Sequence, residues 1–289
     1  MHPYVVKFVQ QLVIRGRSSK TIDGYTQSLC YFLKHLKGRT PSSITIADIN
    51  DYQHYLATVK KQANSYVNAQ TGSIKFFCQY VLNKEWDYSK IPYKKVHSKL
   101  PIVLSRESVV RLLASATNPK HRALLAIMYG SGMRPFEVVA LKVADFHVQT
   151  DEKTIHVRNG KGGKDRHVNC PAFVLKVLSK YYRQLKKQNI QSEWLFPGID
   201  SNKHLDSETI GAIYRRLKPI AKIHDDSCCY SLRHSFATHS LEDGVDIRTI
   251  QEIMGHSSLE VTMIYLKIAK KRIAATKSPL DSLNLTDLT

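Results

Sequence analysis

The sequence has no apolar stretch that approaches the length of a membrane-spanning helix, and its N-terminus lacks the pattern of a secretory signal peptide. Cysteine is scarce: the 289 residues include five, an odd number, and no Cys-x-x-Cys pair occurs. This usage argues against a disulfide framework or a zinc site and is more typical of a chain in a reducing compartment. We therefore expect a cytoplasmic protein. The cysteines are Cys30, Cys78, Cys170, Cys228 and Cys229.

Acidic residues are few as well. The chain holds 43 Lys and Arg against 24 Asp and Glu, so its formal charge is +19 and its isoelectric point is near 9.7. A basic protein can exist without a polyanionic partner, but an excess of this size favours one, because neutralising phosphates releases their counterions. With 289 residues, 43% of them hydrophobic, the chain is long enough for two domains with separate cores.

Residues 1–86 are predicted to form an entirely helical domain of four helices. Apolar residues recur there at helical spacing. The first 100 residues carry 15 Lys and Arg against 5 Asp and Glu, a net charge of +10, whereas the other 189 carry 28 against 19. Basic helices suit the backbone of duplex DNA, although ordinary solvated charge explains any single lysine. Residues able to cap helices two to four are Ser18 or Ser19, Thr45, and Asn64 or Ser65.

The helical periodicity breaks after residue 86. The following stretch is basic, contains Pro92 and is followed by Pro101, which is typical of an interdomain linker. We place this linker at residues 87–100. A lysine-rich linker between two basic domains would let them close around DNA.

Residues 101–289 are predicted to form a second domain of mixed structure. Two strands, 154–158 and 166–169, flank a glycine-rich turn. The fold class is therefore expected to be mainly α with a small β-sheet, an α+β chain. Helices are predicted over 105–113, 122–129, 136–141, 171–187, 207–220, 230–241 and 246–254, and a short helix from Ser258 carries Tyr265.

Two arginines in this domain could contact one phosphate. Arg134 follows the turn at residues 130–132 and precedes Pro135, a residue favoured at the first helical position. Arg233 lies in the first turn of a predicted helix. Guanidinium is planar, permanently charged and bidentate, so it suits the negative charge that develops on a phosphodiester under attack. A single arginine at either place would more simply form a surface salt bridge.

Three residues could support this chemistry from the first half of the domain. Glu137 either orients Arg134 or forms an ordinary pair with it on the helix surface. Lys161, in the glycine-rich turn, could donate a proton to a leaving oxygen. A solvated turn lysine is the commoner outcome, and Lys164 is a competing candidate.

Two further candidates follow Arg233. His256 comes directly after Gly255 and could hydrogen-bond a phosphate or a nucleophile, although a histidine there could also simply cap the helix. Tyr265 lies nine residues later. It is one of 15 tyrosines, and a phenol with a pKa of about 10 needs neighbouring cations to ionise.

Together these motifs resemble the tyrosine recombinase family, which includes phage integrases and Xer-type recombinases. The resemblance rests on Gly-x-Arg-x-x-Glu, Gly-Lys-Gly, Leu-Arg-His-Ser-Phe-Ala-Thr-His and Gly-His-Ser-Ser, with a tyrosine nine residues after the last histidine. It covers residues 101–268, and the helices before them look like the family's SAM-like core-binding domain. The resemblance implies a site-specific recombinase or integrase that acts on double-stranded DNA as a homotetramer, without cofactor or metal.

The resemblance also implies roles for individual residues. Arg134 and Arg233 would clamp the scissile phosphate, with Glu137 in support. Lys161 would protonate the departing 5′ oxygen. His256 would assist the phosphate and the nucleophile, and Tyr265 would form the 3′-phosphotyrosyl bond.

One position departs from the family pattern. Three residues before Arg233 the family usually has histidine, sometimes lysine, whereas this chain has Tyr230. A phenol can donate a hydrogen bond to phosphate but is a poor base near neutrality. Tyr230 therefore leaves open an inactive or weakened DNA-binding relative. A separate alternative is a relaxer similar to type IB topoisomerases, which would share the chemistry but not the tetramer. His234 and His239 are expected to be structural.

The tail, residues 266–289, is rich in both lysine and leucine. By resemblance we expect it to dock on a neighbouring protomer, with packing on its own domain as the alternative.

Overall fold

The computed structural model of the chain describes residues 3–96, 99–149, 152–158 and 165–269. The chain forms two compact units, Met1–Lys99 and Leu100–Thr289. Both are mainly helical, and the second contains a three-stranded sheet, so the predicted fold class is confirmed. Among the described helices, none has the combination of length and hydropathy that crossing a membrane requires.

The first unit is mainly helical up to Tyr80, as predicted, and its later residues are irregular. Two of its helices begin at the expected caps: the Ser18 hydroxyl accepts from the Thr21 N–H at 3.3 Å, and Thr45 and Asp48 each accept from the other's backbone N–H. The helix α4 packs against the other three around buried aromatic rings such as Phe32 and Phe77. The helices are α1 (Pro3–Ile14), α2 (Ser19–His35), α3 (Ile46–Thr58) and α4 (Asn64–Tyr80), with a 3-10 turn at Pro41–Ser43.

Much of the segment expected to be a linker packs on the first unit. Ile91 is only 2% exposed and belongs to the core of that unit. The Asn68 side chain accepts from the Lys94 N–H at 2.7 Å and donates to the Lys94 carbonyl at 2.8 Å. The Asn64 amide donates to the carbonyl of Lys95 at 2.9 Å. The helical periodicity ends here because this stretch is irregular. Backbone groups of Lys94 and Lys95 form hydrogen bonds with asparagine side chains of α4 instead of with a helix of their own.

The second unit contains the predicted helices and the two predicted strands in the predicted order, together with a short first strand that was not predicted. Ser105 caps its first helix, since its hydroxyl accepts from the Ser108 N–H at 3.2 Å, and Asn118 caps the second, which begins three residues earlier than predicted. The elements are α5 (Arg106–Ser115), α6 (Pro119–Ser131), α7 (Pro135–Val139), a 3-10 turn (Val143–Asp145), β1 (Phe146–His147), β2 (Thr154–Val157), β3 (Arg166–Asn169), α8 (Ala172–Lys187), α9 (Glu208–Ile220), α10 (Tyr230–Glu242), α11 (Ile247–Met254) and α12 (Leu259–Ile268).

The sheet is an antiparallel meander in the order β1-β2-β3. Ile155 pairs with Val168, and both side chains are buried in the core of the unit. The pairing of β2 and β3 runs from Thr154 and Asn169 to Val157 and Arg166. Lys161 and Lys164, the two candidates on the glycine-rich turn, lie outside the described residues.

Helix α6 lies at the centre of the second unit. Seven of its thirteen residues are buried and the other six are partly buried, and it packs against α8, α9 and α10. Gly132 ends it in the left-handed conformation, with a φ of 61°, and a side chain at that position would collide with the ring of Phe236. The chain therefore turns tightly from α6 into α7 against α10, which brings Arg134 towards Arg233.

Candidate active site

A buried carboxylate, Glu137, lies at the base of the site. It is 4% exposed. It accepts from Arg134 twice, from the backbone N–H at 2.8 Å and from the guanidinium at 3.1 Å, and from Arg166 in a bidentate pair at 2.9 and 2.7 Å. Burial raises the pKa of Glu137, but the hydrogen bonds and charge of Arg166, with Arg134 and Arg233, lower it by more. Glu137 therefore joins three arginines through one buried carboxylate, and its pair with Arg134 is not a salt bridge on the helix surface.

Arg134 is fixed at the start of α7. It stands at the N-cap position before Pro135, with extended backbone angles. Besides Glu137, its guanidinium donates from Nη2 to the carbonyl of Gly255 at 3.2 Å. The bond to Gly255 ties α7 to the end of α11. The contacts to Glu137 and Gly255 use only part of the five N–H donors of the side chain, so donors remain for a ligand.

Arg233, in the first turn of α10, is almost completely buried at 3% exposed. Its guanidinium donates to the carbonyl of Gly132 and, at 2.5 Å, to that of Met254. It lies 3.9 Å from the Glu137 carboxylate. Burial, and next the charge of Arg134, lower the pKa of Arg233 to about 9, so the side chain is still protonated at neutral pH.

His256 connects Arg233 to the last helix. Gly255 ends α11 with a φ of 59°, which turns the chain so that His256 Nε2 lies 3.2 Å from Arg233 Nη2. Since an arginine only donates, Nε2 accepts, and Nδ1 carries the proton that is shared with the Thr262 hydroxyl at 2.8 Å. Burial and the charge of Arg233 lower the pKa of His256 to about 4, so the ring is neutral at pH 7.

Tyr265 lies on α12 beside these groups, 3% exposed. Its ring stacks on that of His256 with the ring centres 6.4 Å apart and the planes 14° apart. A hydrogen bond of 2.9 Å joins its hydroxyl to His234 Nδ1. Burial raises the pKa of Tyr265, and the charges of Arg233 and Arg134 act in the opposite direction. The phenol is therefore protonated at neutral pH in the DNA-free protein.

Tyr230, where the chain departs from the family pattern, is the first residue of α10 and is half-exposed. Burial is the largest cause of its raised pKa, whereas Arg134 and Arg233 lower it. The two arginine charges thus act on its phenol, as expected from its place three residues before Arg233 on the same helical face. Within the described ranges its hydroxyl forms no hydrogen bond.

The structure brings together four of the five residues expected to be catalytic, namely Arg134, Arg233, His256 and Tyr265; Lys161 lies outside the described residues. Sequence reasoning missed Arg166 as a member of the cluster. Its only sequence signal was its place at the start of the strand after the glycine-rich turn.

His234 was predicted to be structural, but its Nδ1 contacts the Tyr265 hydroxyl. His239 fits the structural expectation: it is buried and paired with Tyr129 at 2.9 Å.

The arrangement suits an anionic ligand. Three arginine charges face one carboxylate, so the cluster carries a surplus of positive charge in a mostly buried place, where electrostatic attraction is strong. Arg166 uses three of its five N–H donors, two for Glu137 and one for the carbonyl of Ile253 at 2.7 Å. The side chain of Arg134 uses two and that of Arg233 uses three, so both retain donors for a phosphate.

The comparisons with known proteins identify the family. The sequence matches the phage integrase family over residues 103–272 and the phage integrase N-terminal SAM-like domain over residues 5–88. The chain belongs to the tyrosine recombinases of this family. The predicted family and enzyme class are thus confirmed.

Relatives match over nearly the whole length of this recombinase. It is 33% identical over 284 residues to the integrase/recombinase y4qK of Sinorhizobium fredii, covering 98% of this chain and 90% of the relative. It is 32% identical over 272 residues to tyrosine recombinase XerA of Pyrococcus horikoshii, covering 92% and 90%. The crystal structure of XerH bound to difH DNA after cleavage has a TM-score of 0.70 and 23% identity over 89% of this chain and 78% of that one, which shows the same fold.

Proposed function

We propose that this recombinase cuts and rejoins double-stranded DNA at specific sites through a covalent bond between Tyr265 and a 3′ phosphate. The observation that carries the proposal is the shared cluster in which Glu137 holds Arg134 and Arg233 beside His256 and Tyr265. It combines a nucleophile with cations for the charge that develops on phosphorus, as phosphoryl transfer requires.

In the proposed reaction, the scissile phosphate binds between the open N–H donors of Arg134 and Arg233. His256 stays neutral and aligns Arg233 through the bond to Nε2. The Tyr265 oxygen attacks phosphorus, and the bond from phosphorus to the 5′ oxygen breaks. Lys161 protonates that oxygen, with Lys164 as the competing donor. Ligation is the same sequence reversed with the 5′ hydroxyl of a partner strand.

The two units have separate parts in this proposal. Residues 1–86 bind DNA as the core-binding domain. Their net positive charge and their match to the SAM-like domain family support this role. Residues 101–289 hold the chemistry. By family resemblance, four copies act on two duplexes, with residues 87–100 linking the two domains of each copy. The proposed setting is the cytoplasm, on DNA of a mobile element.

Covalent trapping tests the proposal and finds the target sequence in the same experiment. The purified protein is mixed with a library of duplexes that carry random sequences and scattered nicks, denatured with detergent, and the DNA that remains on the protein is sequenced. We expect one recurring sequence to be enriched, joined through its 3′ phosphate. Tyr265→Phe should bind DNA as the wild type does and yield no adduct, because only the attacking oxygen is gone. An adduct that survives in this variant would identify a different nucleophile.

The same target then separates the reaction classes. Two copies on one plasmid should yield recombinant products. Relaxation of supercoils without recombinants would support a topoisomerase-like relaxer. Binding without any adduct would support an inactive DNA-binding relative.

A further inference from the structure

The hydroxyl of Tyr265 faces a histidine that the family pattern leaves without a role. His234 follows Arg233 on α10, and its Nδ1 lies 2.9 Å from the Tyr265 oxygen, with the ring centres 5.8 Å apart. The two side chains come from α10 and α12, which pack against each other. The contact is therefore set by the packing of two helices around the candidate nucleophile.

We propose that His234 is a catalytic residue of this recombinase, the group that accepts the proton of Tyr265 as its oxygen attacks phosphorus. This inference rests on the proposed function, in which Tyr265 is the nucleophile. It assigns the base to a position one residue after Arg233.

The other candidate bases are less suited to this step. Tyr230, at the position that is usually histidine, is a phenol with a raised pKa and cannot take a proton at neutral pH. The ring of His256 is engaged at both nitrogens, by Arg233 and by Thr262. His234 is the histidine whose ring nitrogen already contacts the reacting oxygen, within the distance that proton transfer needs.

The proton balance of the step is complete. The bond from Tyr265 Oη to phosphorus forms, the bond from phosphorus to the 5′ oxygen breaks, and the Tyr265 proton passes to His234 Nδ1. The 5′ oxygen takes a proton from the general acid proposed above. In ligation, the 5′ hydroxyl attacks phosphorus and gives its proton back to that general acid, while the bond from phosphorus to Tyr265 breaks and His234 returns its proton to the departing Tyr265 oxygen. This requires the neutral tautomer of His234 with its proton on Nε2.

The surroundings of His234 make it neutral before DNA binds. Burial and the charge of Arg233 lower its pKa to about 4. Among the described residues, three titratable or charged groups face it. They are Tyr265 on α12, Arg233 on its own helix, and His256, which follows the end of α11. A phosphodiester bound at the arginines offsets the charge of Arg233, so substrate binding strengthens the base at the moment it is used.

The chain offers a matched control on the same helix. His239 Nδ1 is joined to the Tyr129 hydroxyl at 2.9 Å, the same type of bond at the same distance. Asparagine places a polar atom close to the position of Nδ1 but cannot take up a proton. His234→Asn and His239→Asn therefore perturb comparable contacts, and only the first removes the proposed base.

The measurement is single-turnover cleavage of the trapped target between about pH 6 and 9. Wild type should show a nearly flat rate, because the base is neutral throughout this range. At pH 7, His234→Asn should cleave roughly 10²–10⁴-fold more slowly, the usual contribution of a general base. Its rate should rise about tenfold per pH unit, since it then depends on the ionised fraction of the phenol. His239→Asn should keep the flat wild-type profile.

A second measurement separates lost chemistry from damaged packing. With a fluorinated tyrosine of lower pKa at position 265, His234→Asn should recover much of its lost rate, because the nucleophile then ionises without help. Damage to the fold would give no such recovery. Thermal melts and DNA binding compare the two asparagine variants, and His234→Gln replaces His234→Asn if that variant does not melt cooperatively.

The outcomes separate the two proposals. A wild-type rate for His234→Asn, a deficit that does not change with pH, or no recovery with the fluorinated tyrosine would overturn the role of His234 while leaving Tyr265 as nucleophile. A wild-type rate that itself rises tenfold per pH unit would overturn it as well, independently of any variant. Failure of the proposed function would appear earlier, as an adduct that survives in Tyr265→Phe.

Discussion

Replacement of Glu137 by glutamine tests the central claim about the site, that one buried carboxylate holds three arginines. Glutamine has nearly the same shape, but its amide nitrogen cannot accept from Arg166, and the negative charge is lost. The pair has side chains 1% and 11% exposed. Breaking such a buried pair costs about 3–5 kcal/mol, because it leaves charges without a partner. We therefore expect Glu137→Gln to lose about that much free energy of unfolding and to cleave DNA poorly.

An ion pair on the surface serves as the control for the loss of stability expected in Glu137→Gln. Glu193 accepts from Lys142 at 2.7 Å, with its own side chain 59% exposed. Exposed pairs contribute about 0–1 kcal/mol, so Glu193→Gln should be nearly silent. Urea denaturation of both variants at pH 7 measures the difference. Equal stability of the two variants, within about 1 kcal/mol, would refute the reasoning, since the surplus of buried positive charge would then cost nothing.

The pH dependence of this loss has a defined sign. The folded-state pKa of Glu137 is lowered, so its carboxylate stabilises the fold fully above the unfolded value of about 4.3. That contribution is lost as the pH falls through the lower folded value. The stability difference between wild type and Glu137→Gln should thus be constant from about pH 6 to 8 and shrink below about pH 4. A difference that grows on acidification would contradict the assignment.

Three further predictions concern the less determined parts of the site. Tyr230→Phe should slow single-turnover cleavage about 10²–10³-fold if its hydroxyl binds a phosphate oxygen, and Tyr230→His should retain or raise the rate; a wild-type rate for phenylalanine would remove Tyr230 from the site. Lys161→Ala should cleave ordinary DNA slowly and recover on DNA with sulfur at the 5′ bridging position, whereas the same pattern for Lys164→Ala would shift the assignment. Removal of residues 278–289 should weaken synapsis of paired sites, measured by native gel, more than binding of one site; unchanged synapsis would exclude docking in trans.

The sequence by itself determined the features that depend on neighbours along the chain. Ser105, Asp246 and Gly255 begin or end helices where predicted, because a cap is a hydrogen bond or a backbone angle within a few residues. The order of the helices and of β2 and β3 was predicted from periodicity and turn residues, whereas the two-residue strand β1 was not predicted. The motifs around Arg134, Arg233, His256 and Tyr265 were sufficient for the family, because their spacing reflects one shared geometry.

Only the tertiary structure decided which distant groups share a contact. Glu137 and Arg166 are 29 residues apart, and His234 and Tyr265 are 31 apart, so no local pattern pairs them. Ile91 lies in a stretch without periodicity, yet it is buried in the first unit. The pKa values of His234 and His256 fall to about 4 for the same reason: burial and the arginine charges come from packing. Local hydrogen bonds are encoded within a turn of chain, whereas charge environments arise only when separate elements meet.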